Sequence, residues 1–159
     1  MSGKGHKLAS LASRRGFRMR GAAAVELALT MVPLLALTFG VTEYGRAIYT
    51  YNAIDKSTRD AARHMTSPNP NRNTEAINLA VYGNIAGTGY PIAPGLAGSN
   101  VVICDPTSCA GTHAAVATGS GVINLVSVGI NGYVYSSIVT YVAPATLNFN
   151  NISTTMRTQ

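Results

Sequence analysis

The sequence predicts an α+β chain: a long N-terminal membrane-spanning helix, one short extra helix and a small C-terminal antiparallel sheet. Three observations predict it. Residues 22–41 form an apolar run broken by a single charge, Glu26. Residues 43–65 repeat apolar side chains at helical spacing. Beyond residue 100 the chain turns to short segments rich in β-branched residues and tyrosine, punctuated by Gly, Pro and Asn.

A chain of 159 residues divides naturally into a leader at 1–21, a helical stem at 22–65 and one extracytoplasmic domain at 66–159. The formal charge of +6 is confined to the leader. Lys4, Lys7, Arg14, Arg15, Arg18 and Arg20 precede the apolar run, and no acid does. The remainder balances six basic residues against six acids. A pI near 9.6 therefore reports a topogenic leader rather than a nucleic-acid surface, and no nucleic-acid partner is expected. The positive-inside rule puts residues 1–20 in the cytoplasm and the rest beyond the inner membrane. An ordinary secretory signal fits less well, because the run is long and no A-x-A site closes it. Residues 1–17 read as a disordered arm.

The 20 residues of 22–41 would span about 30 Å as a helix, the thickness of a bilayer's hydrocarbon core. Glu26 needs a reason to be there. A carboxylate at the centre of a membrane helix costs about 2.5–3.5 kcal/mol, and less near an end. The bland reading is that it snorkels or protonates one turn inside. The sharper one is that it has a partner. Pro33 lacks an N–H and crowds the carbonyl of Leu29, so it should bend or open the helix. Thr30 is expected to satisfy the freed carbonyl. Gly40 and Gly45 would permit close helix contact.

The helix should continue to Met65, because Tyr44, Ile48, Tyr51, Ile54 and Met65 recur near helical spacing. Glu43–Arg46, Asp55–Arg59 and Lys56–Asp60 have ion-pair spacing, each worth about 0.2–0.5 kcal/mol on an isolated helix. Pro68 and Pro70 end it. A second helix is predicted at 74–82, capped by Asn73 or Asn71 and stopped by Gly83, with Ile77, Ala80 and Val81 facing the stem. Residues 87–99 are a Gly/Pro loop without the context of a phosphate loop.

Residues 101–104 read as a strand. Cys104 and Cys109, outside the cytoplasm, read as a small disulfide loop worth about 2 kcal/mol in chain entropy. A metal site would need more ligands than His113 supplies, and no metal or other cofactor is expected. Val126, Val128 and Ile130 share one strand face. Residues 132–142 alternate again, and Asn131-Gly132 between the two segments predicts a hairpin. Residues 147–149 add a short edge. The sheet of three or four strands should lie on the upper stem. Catalysis has little support. A serine, His113 and Asp105 could form a triad on paper, but no nucleophile-elbow pattern frames them, and no catalytic residue is expected.

The residues around the span carry a resemblance. A basic leader, Gly21, four small or apolar residues and Glu26 resemble the type IV prepilin signal. The longer string from Arg20 to Met65, with GAAAVE, a mid-helix proline, EYGR and a late AAR, resembles the TadE-like family of pseudopilins, or minor pilins, of the tight-adherence (Tad, Flp pilus) system. Leu27 departs from the Tyr or Phe common at that position, which, with the 94 residues past Met65, argues against a major pilin. The resemblance implies cleavage by a prepilin peptidase between Gly21 and Ala22. It also implies assembly with other Tad pilin-like subunits on an inner-membrane platform, in a type II/IV secretion-like or adhesion machine. Cleavage would create an ammonium at Ala22, one helical turn from Glu26, able to pair with it in the same or a neighbouring chain. The alternative is an uncleaved signal anchor carrying a periplasmic binding domain that joins no filament.

Overall fold

The computed structural model describes the backbone of residues 9–158 and the side chains of residues 21–158. Helix α1 (Ala9–Met65) runs through 57 residues. It begins before Ala22, because Gly21 inside a helix costs only about 1 kcal/mol relative to Ala and the preceding Leu, Ala, Arg and Met residues favour helix. The expected disordered arm is therefore helical from Ala9, and its residues 1–8 lie outside the described residues. The backbone stays α-helical across Pro33.

Helix α2 (Arg72–Tyr82) folds back along the stem and buries Ala76, Ala80 and Val81. Asn71 stands at its N-cap without a capping side-chain bond. Asn69 does the fastening instead: its Oδ1 accepts the Asn71 N–H at 3.0 Å and its Nδ2 donates to Glu75 at 2.6 Å. Gly83 closes the helix at φ 71°, where a side chain would be strained, and its N–H reaches the carbonyl of Leu79.

Strand β3 (Gly121–Ile130) is the axis of a four-stranded antiparallel sheet. It pairs with β1 (Val101–Cys104), β2 (Val116–Thr118) and β6 (Ile152–Thr158). A short helix, α3 (Ala110–His113), bridges β1 and β2. Separately, β4 (Val134–Ser136) pairs with β5 (Thr146–Asn148).

The expected hairpin across Asn131-Gly132 does not form. Ile130 is already paired with Val101 on one side and Ile152 on the other, so β3 has no edge left for the chain that follows. Gly132 takes φ 66°, but Asn131 is not left-handed, and a type I′ turn needs both. Asn131 is instead tied to the residue just before β1: its N–H reaches the carbonyl of Asn100 at 2.8 Å, and Asn100 Nδ2 returns to its carbonyl at 3.1 Å. The strand expected to reach residue 142 stops at Ser136.

The core has two storeys on one face of the stem. Ala61, Ala62 and Met65 pack with Ala76, Ala80, Val126 and Val128. Lower down, Ala47 and Ile54 pack with Val81, Ile130, Tyr133 and Tyr135. The buried stem positions 43, 47, 54, 57, 58, 61, 62 and 65 fall mostly at intervals of three, four and seven, with 57/58 and 61/62 adjacent, so they share one helical face.

Candidate assembly surface

The lower stem is bare. Val25, Leu27, Leu29, Val32, Leu34, Leu37 and Val41 are all more than half exposed. Helix α1 is long and apolar enough to cross a membrane, and none of its most apolar window is buried. A contiguous apolar surface of that extent marks contact with lipid or with other proteins. Its hydroxyls are satisfied internally. Thr38 donates to the carbonyl of Leu34 at 2.8 Å and Thr42 to that of Thr38 at 2.8 Å. Thr30 donates to Leu27 at 2.9 Å and Glu26 at 3.2 Å, not to the carbonyl freed by Pro33. A helical threonine reaches carbonyls three and four residues back, and Leu29 is only one back.

Glu26 is exposed, and its carboxylate has no partner among the described residues. Gly21 and Ala22 lie one turn before it on the same continuous helix, with open space around Gly21. Gly40 and Gly45 are equally open: a Cβ added at either would meet nothing within 4 Å, so no described segment uses them for close approach.

Glu43 is the reverse case. Only 3% exposed, its carboxylate gathers four hydrogen bonds. Arg46 Nη1 donates to both oxygens at 3.1 and 3.2 Å, Tyr135 Oη donates at 2.8 Å, and the Ile138 N–H at 3.1 Å. Charge-assisted donors from three sources offset the cost of burying the carboxylate. Aromatic rings continue the grip upward. Phe149 stacks on Tyr135 at 6.0 Å and meets Tyr51 edge-on at 5.5 Å, and the Arg46 guanidinium lies 5.8 Å over the Tyr135 ring. Sequence reasoning placed Glu43 only in its local pair with Arg46. Its head partners lie 92 and 95 residues away, beyond any periodic signal.

Asp55–Arg59 closes at 2.7 Å. Lys56–Asp60 forms no ion pair, consistent with the weaker geometry of a base preceding its acid on a helix. His64 bonds Glu75 of α2 at 2.7 Å, tying the stem's top to the second helix. A groove of about 490 Å³ lies between stem and α2, lined among others by Tyr49, Asn52, Lys56, Asp60 and Leu79.

Cys104 and Cys109 are joined in a disulfide with Cα atoms 5.3 Å apart. Inside that loop, Asp105 Oδ1 accepts the N–H groups of Ser108 (2.7 Å) and Thr107 (3.0 Å) and the Ser108 hydroxyl (2.8 Å). Oδ2 accepts Arg72 at 3.1 Å. The Ser108 backbone bond above all, then the other donors and the Arg72 charge, outweigh burial and hold Asp105 below the usual aspartate range. Asp105 is thus a fastening residue between β1 and α2. His113 shares a hydrogen bond with Ser127 at 2.9 Å and, through its other nitrogen, with Thr112 at 2.8 Å. With Asp105 committed elsewhere, the paper triad does not assemble. Cys104, Cys109 and His113 bring potential metal-ligand atoms within 4.8 Å of one another, but the disulfide consumes both thiolates.

Residues 21–63 match the family model of TadE-like protein. The stem is similar to that of TadE-like proteins. The match ends just before α1 does, so the head lies outside it. Comparison with curated proteins and with solved structures gives no match. TadE-like chains are pilin-like, structural proteins associated with the Tad pilus.

Proposed function

We propose that this chain is a non-enzymatic minor pilin or pseudopilin of a Tad/Flp-type pilus assembly or secretion machine. It is inserted with its N-terminus in the cytoplasm of a bacterium, cleaved after Gly21 by a prepilin peptidase, and assembled through its apolar stem. The head, residues 66–159, faces the periplasm and travels with the stem if the subunit enters an extracellular pilus.

The observation that carries the reading is the divided stem. One helix has a TadE-like sequence, a lower half bare on every side and an upper half covered on one face by the head. A bare apolar helix is stable in lipid and equally stable in a bundle of like helices. Moving between the two exchanges one apolar environment for another and costs little hydrophobic free energy. Direction then comes from polar chemistry. Cleavage turns the neutral amide of Ala22 into an ammonium, and Glu26 of the same or a neighbouring stem gains a charged partner in a low-dielectric setting. Where the pair forms between neighbouring stems it also sets their register, because only one stagger brings the two groups together. The partners this requires are the peptidase, other Tad pilin-like subunits and the inner-membrane platform.

The test is Glu26→Ala in cells carrying the complete machine. Membrane insertion should be unchanged, since a charge is removed from the apolar span. Co-isolation with the other pilin-like subunits, and pilus assembly and adhesion with it, should fall. Normal assembly by this variant would sink the pairing.

A further inference from the structure

We propose that the loop of residues 138–142 lies in the membrane interface, giving the head a second contact with the bilayer beside the stem's exit. This rests on reading residues 22–41 as the membrane span.

Height on the stem is the first argument. The chain descends the helix as it leaves β3. Val126 and Val128 pack at Ala61, Ala62 and Met65, and Ile130 and Tyr135 pack in the lower storey with Ile54 and Ala47. The Ile138 N–H then reaches Glu43 at 3.1 Å. Glu43 is two residues, about 3 Å of helix axis, beyond the end of the apolar run. Helical side chains lean toward the N-terminus, so its carboxylate reaches back over the turn that ends the span. The loop is closed by the Ser137 N–H on the carbonyl of Ala145 at 3.0 Å, and its first residue, Ile138, bonds Glu43, the lowest stem residue hydrogen-bonded to the head among the described residues.

Chemistry is the second argument. Ile138 is 72% exposed and Tyr141 98% exposed, with Val139 and Val142 half-buried between them. No Asp, Glu, Lys or Arg occurs anywhere in residues 106–156. Scattered exposed apolar residues are ordinary, but these sit together, uncharged, at the level where the helix meets the headgroups. Tyrosine there suits the interface, with its ring among the acyl boundary and its hydroxyl in water. Tyr44, exposed on the stem at the same height, offers the same chemistry.

The chain contains no tryptophan, so Tyr141→Trp gives a single fluorescent reporter. Ile138→Trp is a second, and Val122→Trp, exposed at the far end of β3, is the distant control. Each full-length variant is reconstituted into vesicles of phosphatidylethanolamine and phosphatidylglycerol, with and without acyl-brominated lipid. Tyr141→Trp and Ile138→Trp should emit at shorter wavelength than Val122→Trp and lose most of their fluorescence to the brominated lipid. If both stay solvent-like and unquenched while the chain floats with the vesicles, the loop proposal fails and the anchoring reading stands. Short-wavelength emission without bromine quenching would also overturn it, because protein rather than lipid would then cover the loop. A chain that does not float with the vesicles overturns the anchoring reading and the loop with it.

Discussion

The two halves of the stem are one continuous helix with opposite fates. Residues 22–41 expose nearly every apolar side chain, whereas between residues 43 and 65 one face disappears under the head. The two acids mark the contrast. Glu26 stands exposed with no described partner, and Glu43 is buried under four hydrogen bonds. Secondary structure is the same in both places, so it cannot tell them apart. What differs is where the compensation for a charge comes from. Glu43 finds its donors within its own chain. Under the proposed processing, Glu26 would find its donor in the new amine at Ala22.

The largest expected effect sharpens that contrast. Glu43→Ala removes the acceptor from two head donors, Tyr135 Oη and the Ile138 N–H. Urea unfolding of the head in the solubilised full chain should show the largest loss of stability of the series, because both donors are left unpaired. Glu26→Ala in the same assay should leave head stability unchanged. Equal losses at the two sites would abolish the distinction. Packing gives the next effect. Met65→Ala, fully buried, should cost about 2–3 kcal/mol of head stability, while Leu27→Ala on the bare half should cost next to nothing.

Asp105 supplies a pH signature. Its folded pKa is depressed, so its contribution is full above the unfolded value, about 3.9, and is lost as pH falls from there through the folded pKa. Urea midpoints measured from neutral to acid pH should fall in that acid window, and Asp105→Asn should flatten the fall while lowering stability at neutral pH. The smallest effect is at Ser137, whose buried hydroxyl has no hydrogen-bond partner among the described residues. Ser137→Ala should be neutral or stabilising by up to about 1 kcal/mol, read as a shift in the same urea midpoint.

The stem was legible because its signals are local: a hydrophobic run, a helical period, and prolines that stop it. Helix α2 was legible for the same reason, with Gly83 supplying the stop. The head was legible in composition but not in pairing. Asn131-Gly132 is a strong hairpin signal in isolation, yet both neighbours of Ile130 come from elsewhere in the chain. Strand β6 escaped detection because its alternation, Ile152, Thr154, Met156 and Thr158 against Ser153, Thr155 and Arg157, sets mostly threonine against polar residues rather than apolar against polar. Its β-branched content was the available clue. The Glu43 clasp was invisible because hydrogen bonds spanning more than 90 residues leave no spacing to read.

The central claim is that the bare half of the stem belongs to a processed pilin subunit. The most direct measurement is the intact mass and N-terminal sequence of the protein isolated from membranes, with and without a co-expressed Tad prepilin peptidase. A chain beginning at Ala22, produced only when the peptidase is present, is the predicted result. A chain still carrying Met1 to Gly21 in the presence of active peptidase would contradict it and make the helix a permanent anchor for the head.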